Sequence, residues 1–376
     1  MKNKFLTLFL LLITLILIGG IIYIGIYIYS EFSGEDTNTI ITQVGGIIFE
    51  EKKKKKKKKE NTSTDFSNLI ITENSNEVQS NVQDNDDDIN TFFYKQLNKN
   101  QKIIYEGLKQ SKQFLRQGNY VIKFDDKFSE TLKQEDGSDI LGDDYQAAIE
   151  AFTYDNPDLF YLDVKKMYLN METKTKFFKT TYNVYIAPAN ESNYLLDDFQ
   201  TTEEIEKYIL QIEQIRDKVK NNLNGTDYQN IRYIHDCLVD NIQYDTSYQK
   251  GGSHSIYGAL IRKECVCEGY AKAFKYLANS AGYECELISG TATNSNGESE
   301  NHLWNCIKLN DNWYEVDPTW DDPIVIGGNG RATNEMKYKY FLKGSKTFEK
   351  DHVLEYQFTE NGRKFSYPNI SQNDYY

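Results

Sequence analysis

Between Cys265 and Pro323 the chain sets a cysteine, a histidine and an aspartate in local patterns that fix where each can point. Cys267, Ala271, Phe274 and Ala278 fall on one helical stripe, and Gly282 is placed to end that helix. Cys267 therefore stands at or near a helix N-terminus, where backbone amides and the helix dipole favour thiolate, the nucleophilic form. A small buried cysteine would give the same stripe, so the cysteine alone does not decide the chemistry.

The next segments do. His302-Leu303-Trp304-Asn305-Cys306-Ile307-Lys308-Leu309 alternates as a strand, Asn310-Asp311-Asn312 reads as a turn, and Trp313-Tyr314-Glu315-Val316-Asp317 returns as a second strand. With an even number of loop residues, His302 and Asp317 project from one face as direct or diagonal neighbours. An aspartate there accepts from one imidazole nitrogen and aims the other at the thiol, the logic of a nucleophile, base and orienting acid.

These stretches resemble the transglutaminase-like superfamily, whose core has a papain-like fold. The matching residues are Val266-Cys267-Glu268-Gly269-Tyr270-Ala271, Asn301-His302-Leu303-Trp304-Asn305 and Trp313-Tyr314-Glu315-Val316-Asp317-Pro318-Thr319-Trp320, with His235-Asp236-Cys237-Leu238-Val239 and Tyr244-Asp245 upstream. The resemblance implies that Cys267 is the nucleophile, His302 the base and Asp317 the orienting acid. It spans less than half of the chain. The superfamily includes cross-linking enzymes, peptidases, peptide N-glycanases and members that have lost activity. Cys265 departs from its usual pattern, and its thiol is a candidate for a mixed disulfide or for competing modification. Tyr257 and the backbone amide of Cys267 are the candidate oxyanion donors.

The rest of the chain positions or delivers this stretch. Phe5 to Tyr29 are almost entirely apolar, and as a helix they exceed the ~30 Å hydrocarbon core of a bilayer. The run is longer than the apolar part of a signal peptide, and Ser30-Glu31-Phe32-Ser33-Gly34 is a poor cleavage site, so an uncleaved anchor is expected. Lys2 and Lys4 precede it and Glu31, Glu35 and Asp36 follow, which puts the N-terminus in the cytoplasm and the bulk outside. The polar sequence that follows holds too little apolar surface to fold, and its lysine tract, Lys52 to Lys59, reads as a solvated block.

Folded sequence begins near Phe92. Helical spacing at Ile103, Ile104 and Leu108 and at Tyr145, Ala148, Ile149 and Phe152, with strand alternation at Tyr182, Val184 and Ile186, describes a small α+β segment. Thr201 to Glu204 is a capping box that opens a helix through Ile205, Ile212 and Val219, ended near Gly225; Ile231 to Ile242 forms a second helix. The expected layout is an anchor (1–30), a tether (31–91), an accessory α+β domain (92–198) and a transglutaminase-like core (199–376). The fold class is thus α+β.

Charge and cysteine usage exclude other classes. The net charge of −13 leaves nucleic acid without the basic face it needs. Cys265, Cys267 and a histidine lack the second cysteine pair of a zinc finger, so neither metal nor cofactor is expected. Cys237, Cys285 and Cys306 read as core residues, His235-Asp236 as a buried structural pair, and Asp321-Asp322 as a turn. His254 and His352 stand in polar surroundings and suggest no role. The expected function is cysteine-dependent acyl chemistry on a peptide or protein amide, with a cell-surface or cell-wall peptide among the candidates; the alternative is a degenerate core that binds or scaffolds. Protease added to intact cells should release a soluble fragment by cutting between Glu31 and Asn90. Release only after lysis would contradict the outward orientation.

Overall fold

The computed structural model describes residues 91–176, 179–189, 192–247, 251–322, 334–355 and 365–376. The expected anchor and the tether with its lysine tract, through residue 90, lie outside them. No described helix is long and apolar enough to cross a membrane. All described residues belong to one compact unit, Asn81–Tyr376.

The first elements are helix α1 (Lys99–Leu115), strand β1 (Ile122–Asp125), helix α2 (Gly137–Asp155) and the hairpin strands β2 (Tyr168–Lys176) and β3 (Lys179–Ala187). α1 starts with a capping box in which Asn98 and Gln101 satisfy each other's backbone amides. The strands form an antiparallel sheet in the order β1-β3-β2.

Helix α3 (Thr202–Asn221) opens with the expected capping box of Thr201 and Glu204. It ends at Asn221, not near Gly225, whose amide instead donates to Asn230 Oδ1 at 2.9 Å. Asn230 lies in helix α4 (Asp227–Val239), which stops before Ile242. Short strands β4 (Gln243–Tyr244) and β5 (Glu264–Cys265) pair in parallel and lead into helix α5 (Cys267–Ser280). Ala271, Phe274 and Ala278 of its expected stripe are fully buried, and Gly282 beyond its end takes φ +93°, a left-handed conformation suited to glycine.

Strands β6 (Cys285–Thr293), β7 (Ser299–Leu309), β8 (Asn312–Val316) and β9 (His352–Leu354) make an antiparallel sheet in the order β8-β7-β6-β9. The β7–β8 loop is the two residues Asn310 and Asp311, with φ of 49° and 61°, the positive values that a tight hairpin requires. This is the even loop that the alternation demanded.

One hydrophobic cluster runs from Phe93 through α1, α2, α5 and β7 to Phe365. A buried charge group joins its two ends. Asp155 of α2 accepts from the amides of Phe93 (3.1 Å) and Tyr94 (3.0 Å) and from the Tyr105 hydroxyl (3.1 Å). Lys275 of α5 donates to Cys285 O at 2.9 Å and to the Glu286 carboxylate. Burial pushes Asp155 up to about 6 and Glu286 up to about 7, with the Lys275 charge opposing both shifts.

Gly290 lies at the centre of the four-stranded sheet, between His302 and Leu354. A Cβ there would sit 2.1 Å from Val353 O and 2.5 Å from Trp304 Cη2. Gly290→Ala should therefore lower stability by about 1–3 kcal/mol, the usual scale of overpacking, read as a drop in the urea midpoint. An unchanged midpoint would show that β6 and β9 separate there at no cost.

Candidate active site

Cys267 is the first residue of α5, and the preceding backbone is held from several sides. Asp245 N donates to Cys265 O (2.9 Å), Ser253 Oγ donates to Asp245 (2.5 Å), and Val266 N donates to Ser253 O (3.1 Å). Asp245 thus ties the 251–254 turn to the start of the helix. No side chain caps that N-terminus, and Cys267 remains partly exposed. Asn305 Nδ2 donates to Ala271 O at 2.9 Å, which fixes α5 against the strand carrying His302.

The β7–β8 register sets Asn305 opposite Val316. Position 317 then faces Trp304, and His302 is its diagonal neighbour on the same face. His302 Nε2 donates to Asp317 Oδ2 at 2.7 Å, and both side chains are buried. The other ring nitrogen, Nδ1, is the one left for the thiol, and Cys267 is near enough to add to the shift of the imidazole. The expected trio is thus brought together.

The electrostatics follow from this geometry. Burial opposes a charge on His302, but the Asp317 charge and hydrogen bond, and then Cys267, outweigh it and lift the imidazole to about 10. Burial also opposes ionisation of Asp317; His302, followed by His352, holds its carboxyl well below the usual range. The backbone completes the grip, since Asp317 Oδ1 accepts from Thr319 N (2.9 Å) and Trp320 N (3.2 Å).

His352 is the residue that sequence reasoning missed. It is 1 % exposed, and its Nε2 lies 3.2 Å from Asp317 Oδ2. Its polar sequence neighbours gave no sign of this, because the contact spans 35 positions and rests on a three-residue strand. Among the described residues, the trio of His302, Asp317 and His352 also gathers its ligating atoms within 4.8 Å. The imidazole–carboxylate hydrogen bonds account for that convergence, and we assign it no metal.

Several expectations for neighbouring residues change. Cys265 is fully buried and its pKa is driven up by burial, with the Cys267 charge adding to the effect, so it is a core thiol and not a competitor for modification. The Tyr257 ring packs among Phe160, Phe199 and Tyr208, with centroids 6.0, 4.9 and 4.8 Å away. Cys285 and Cys306 are core residues as expected, whereas Cys237 is partly exposed. His235 is a buried brace: its ring nitrogens face Asp236 and Asp321, each at 3.2 Å. Asp321 is therefore more than a turn residue, and its other oxygen accepts from Tyr340 N at 2.8 Å. His254, at the surface, pairs with Glu268 at 2.9 Å.

Helix α2 also reaches this end of the molecule. Burial raises the Tyr154 hydroxyl, and Glu150, Glu268, Tyr367 and Cys267 are near enough to add to that shift. Glu150 is pushed up to about 8 by burial and by the Glu268 charge.

The fold and site define a thiol beside a carboxylate-held imidazole on an α+β core. Residues 213–318 match the family model of the transglutaminase-like superfamily, so this stretch carries a transglutaminase-like core. It is similar to the kyphoscoliosis peptidases of Homo sapiens and Mus musculus, with 27% and 26% identity over 138 residues. That alignment takes in 34% of this chain and 21% of each relative, so the chain spans about a fifth of the length of the curated relatives it matches. Among solved structures, it is similar to a TGase (TM-score 0.28, 11% identity, 47% of this chain and 50% of that one). It is also similar to the periplasmic domain of TgpA from Pseudomonas aeruginosa (TM-score 0.23, 12% identity, 38% and 55%).

The His302 shift has a defined sign. Its folded pKa of about 10 lies above the unfolded value of about 6.5, so its contribution to stability is complete below pH ~6.5 and disappears as pH rises through about 10. In an NMR titration the His302 ring should show a midpoint near 10. Asp317→Asn should move it down towards or below the ordinary value, because burial would then oppose the charge with little to offset it. A midpoint still near 10 in that variant would remove Asp317 as the cause.

Proposed function

We propose that this protein is a cysteine-dependent amide hydrolase or acyl transferase, with Cys267 as nucleophile, His302 as general acid and base, and Asp317 as orienting acid. The observation that carries the reading is the buried imidazole held by Asp317 Oδ2 at 2.7 Å, with Cys267 near enough to add to its shift. Cys267 thiolate attacks the amide carbonyl, forming a C–S bond and a tetrahedral oxyanion. The first-turn amides of α5, which no side chain caps, are the donors available to that oxyanion. His302 gives its proton to the departing amine as the C–N bond breaks, leaving a thioester. Water or a primary amine then attacks the thioester, His302 takes a proton from it, and the thiolate is released. Water makes the protein a peptidase or amidase; an amine makes it a cross-linker.

The apolar Phe5–Tyr29 run and the flanking charges support a membrane-anchored protein whose folded part faces outward. Its substrate is then a peptide or protein amide reachable from the membrane surface. The Cys267 charge acting on Tyr154 of α2 supports a substrate approach bounded partly by the accessory segment.

Cys267→Ala should abolish turnover of a peptide amide, His302→Ala should come close to that, and Asp317→Asn should cost about 10⁴-fold or less. Cys267→Ala should leave the thermal melt near wild type, since Cys267 is partly exposed. Activity falling only in proportion to stability would instead favour a binding or scaffolding role.

A further inference from the structure

His352 is buried without a place in the reaction just described. It reaches Asp317 because β9 lies beside β6, with His352 opposite Ala292, while His302 lies opposite Gly290 on the other side of β6. The ring centroids of the two histidines are 5.6 Å apart. The His352 ring is fixed by Phe348 (centroids 4.3 Å apart), Trp320 (4.7 Å), Tyr340 (5.0 Å) and Trp304 (5.1 Å). Trp304 and Trp320 also contact the ring of His302, at 6.0 and 5.7 Å. The far nitrogen of His352, Nδ1, lies 2.8 Å from Asp351 Oδ1, and the other oxygen of Asp351 accepts from the Tyr340 hydroxyl at 2.7 Å.

We propose that His352 is a positioning residue: it holds Asp317 Oδ2 in line with His302 and so keeps the imidazole aimed at Cys267. The inference rests on the catalytic reading given above. Backbone amides anchor only Oδ1 of Asp317. Without a second holder, Oδ2 is fixed by His302 alone, the ring that must shift its protons and orientation during turnover. His352 supplies that holder from a strand that does not carry the reacting groups, and Asp351 and the aromatic cage hold His352 in turn. The carboxylate is thereby held in place by groups that need not move when His302 does.

The test compares two substitutions that both remove the ring. H352Q carries an amide to about the position of Nε2 and can still donate to Asp317. H352N carries it to about the position of Nδ1 and reaches only Asp351. The readout is the rate of Cys267 alkylation by iodoacetamide at neutral pH, resolved by mass spectrometry in the full-length chain. H352N should slow labelling about tenfold, the scale of one lost hydrogen bond to a charged group, and H352Q should largely restore it. In the D317N background, H352N should cost little more, because both changes remove the same constraint. Equal rates for H352N and wild type would overturn the proposal. So would the same loss from both substitutions, or an undiminished loss in the D317N background, since either marks a packing role. H302A separates the two levels of the account. If it leaves Cys267 labelling unchanged, the catalytic reading fails; if it slows labelling while H352N does not, only the positioning role fails.

Discussion

The buried carboxylate of Asp317 is the constraint on which the site depends. It accepts from His302, His352 and the amides of Thr319 and Trp320, so each of its oxygens is shared by two donors. A buried anion is costly unless so satisfied, and once satisfied it is a strong determinant of its neighbours. It lifts the charged form of His302 against the effect of burial, which makes the imidazole a standing electrostatic partner for the thiol.

The fold serves to deliver three elements to that carboxylate. A tight hairpin sets Asp317 diagonal to His302. Asn305 ties α5, and so Cys267, to the strand of His302. The Asp321 link to His235 fastens the loop after Asp317 to α4, and Asp317 N itself donates to Tyr340 O at 3.1 Å. The buried Asp155, Lys275 and Glu286 group extends the connection to α2, whose Tyr154 comes near Cys267. The accessory segment and the Cys267 helix therefore share core packing as well as sequence continuity.

The legible parts of this arrangement were those set by local rules. The pairing of His302 with Asp317 follows from a two-residue side-chain period and a turn whose residues tolerate positive φ, both visible within 16 positions of chain. The start of α3 was legible because a capping box is a four-residue pattern, whereas its end was misplaced because Gly225 is a turn glycine stabilised by Asn230. His352, Asp321 and Tyr257 were hidden for a different reason. Their partners lie on distant strands, helices or ring clusters, and short polar neighbourhoods such as Lys350-Asp351-His352 do not reveal a buried ring. Cys265 was misread in a related way: its neighbour Cys267 drew attention to reactivity, while its full burial decides the matter.

The central claim is that the carboxylate-held imidazole makes Cys267 the atom that carries the acyl group. Acid-quenched mass spectrometry during turnover of a peptide amide tests it most directly. The account predicts a thioester adduct confined to Cys267 in the wild-type chain and absent when His302 is replaced by Ala. Product formed at an unchanged rate with Cys267 unmodified, or an adduct found on another residue, would contradict it.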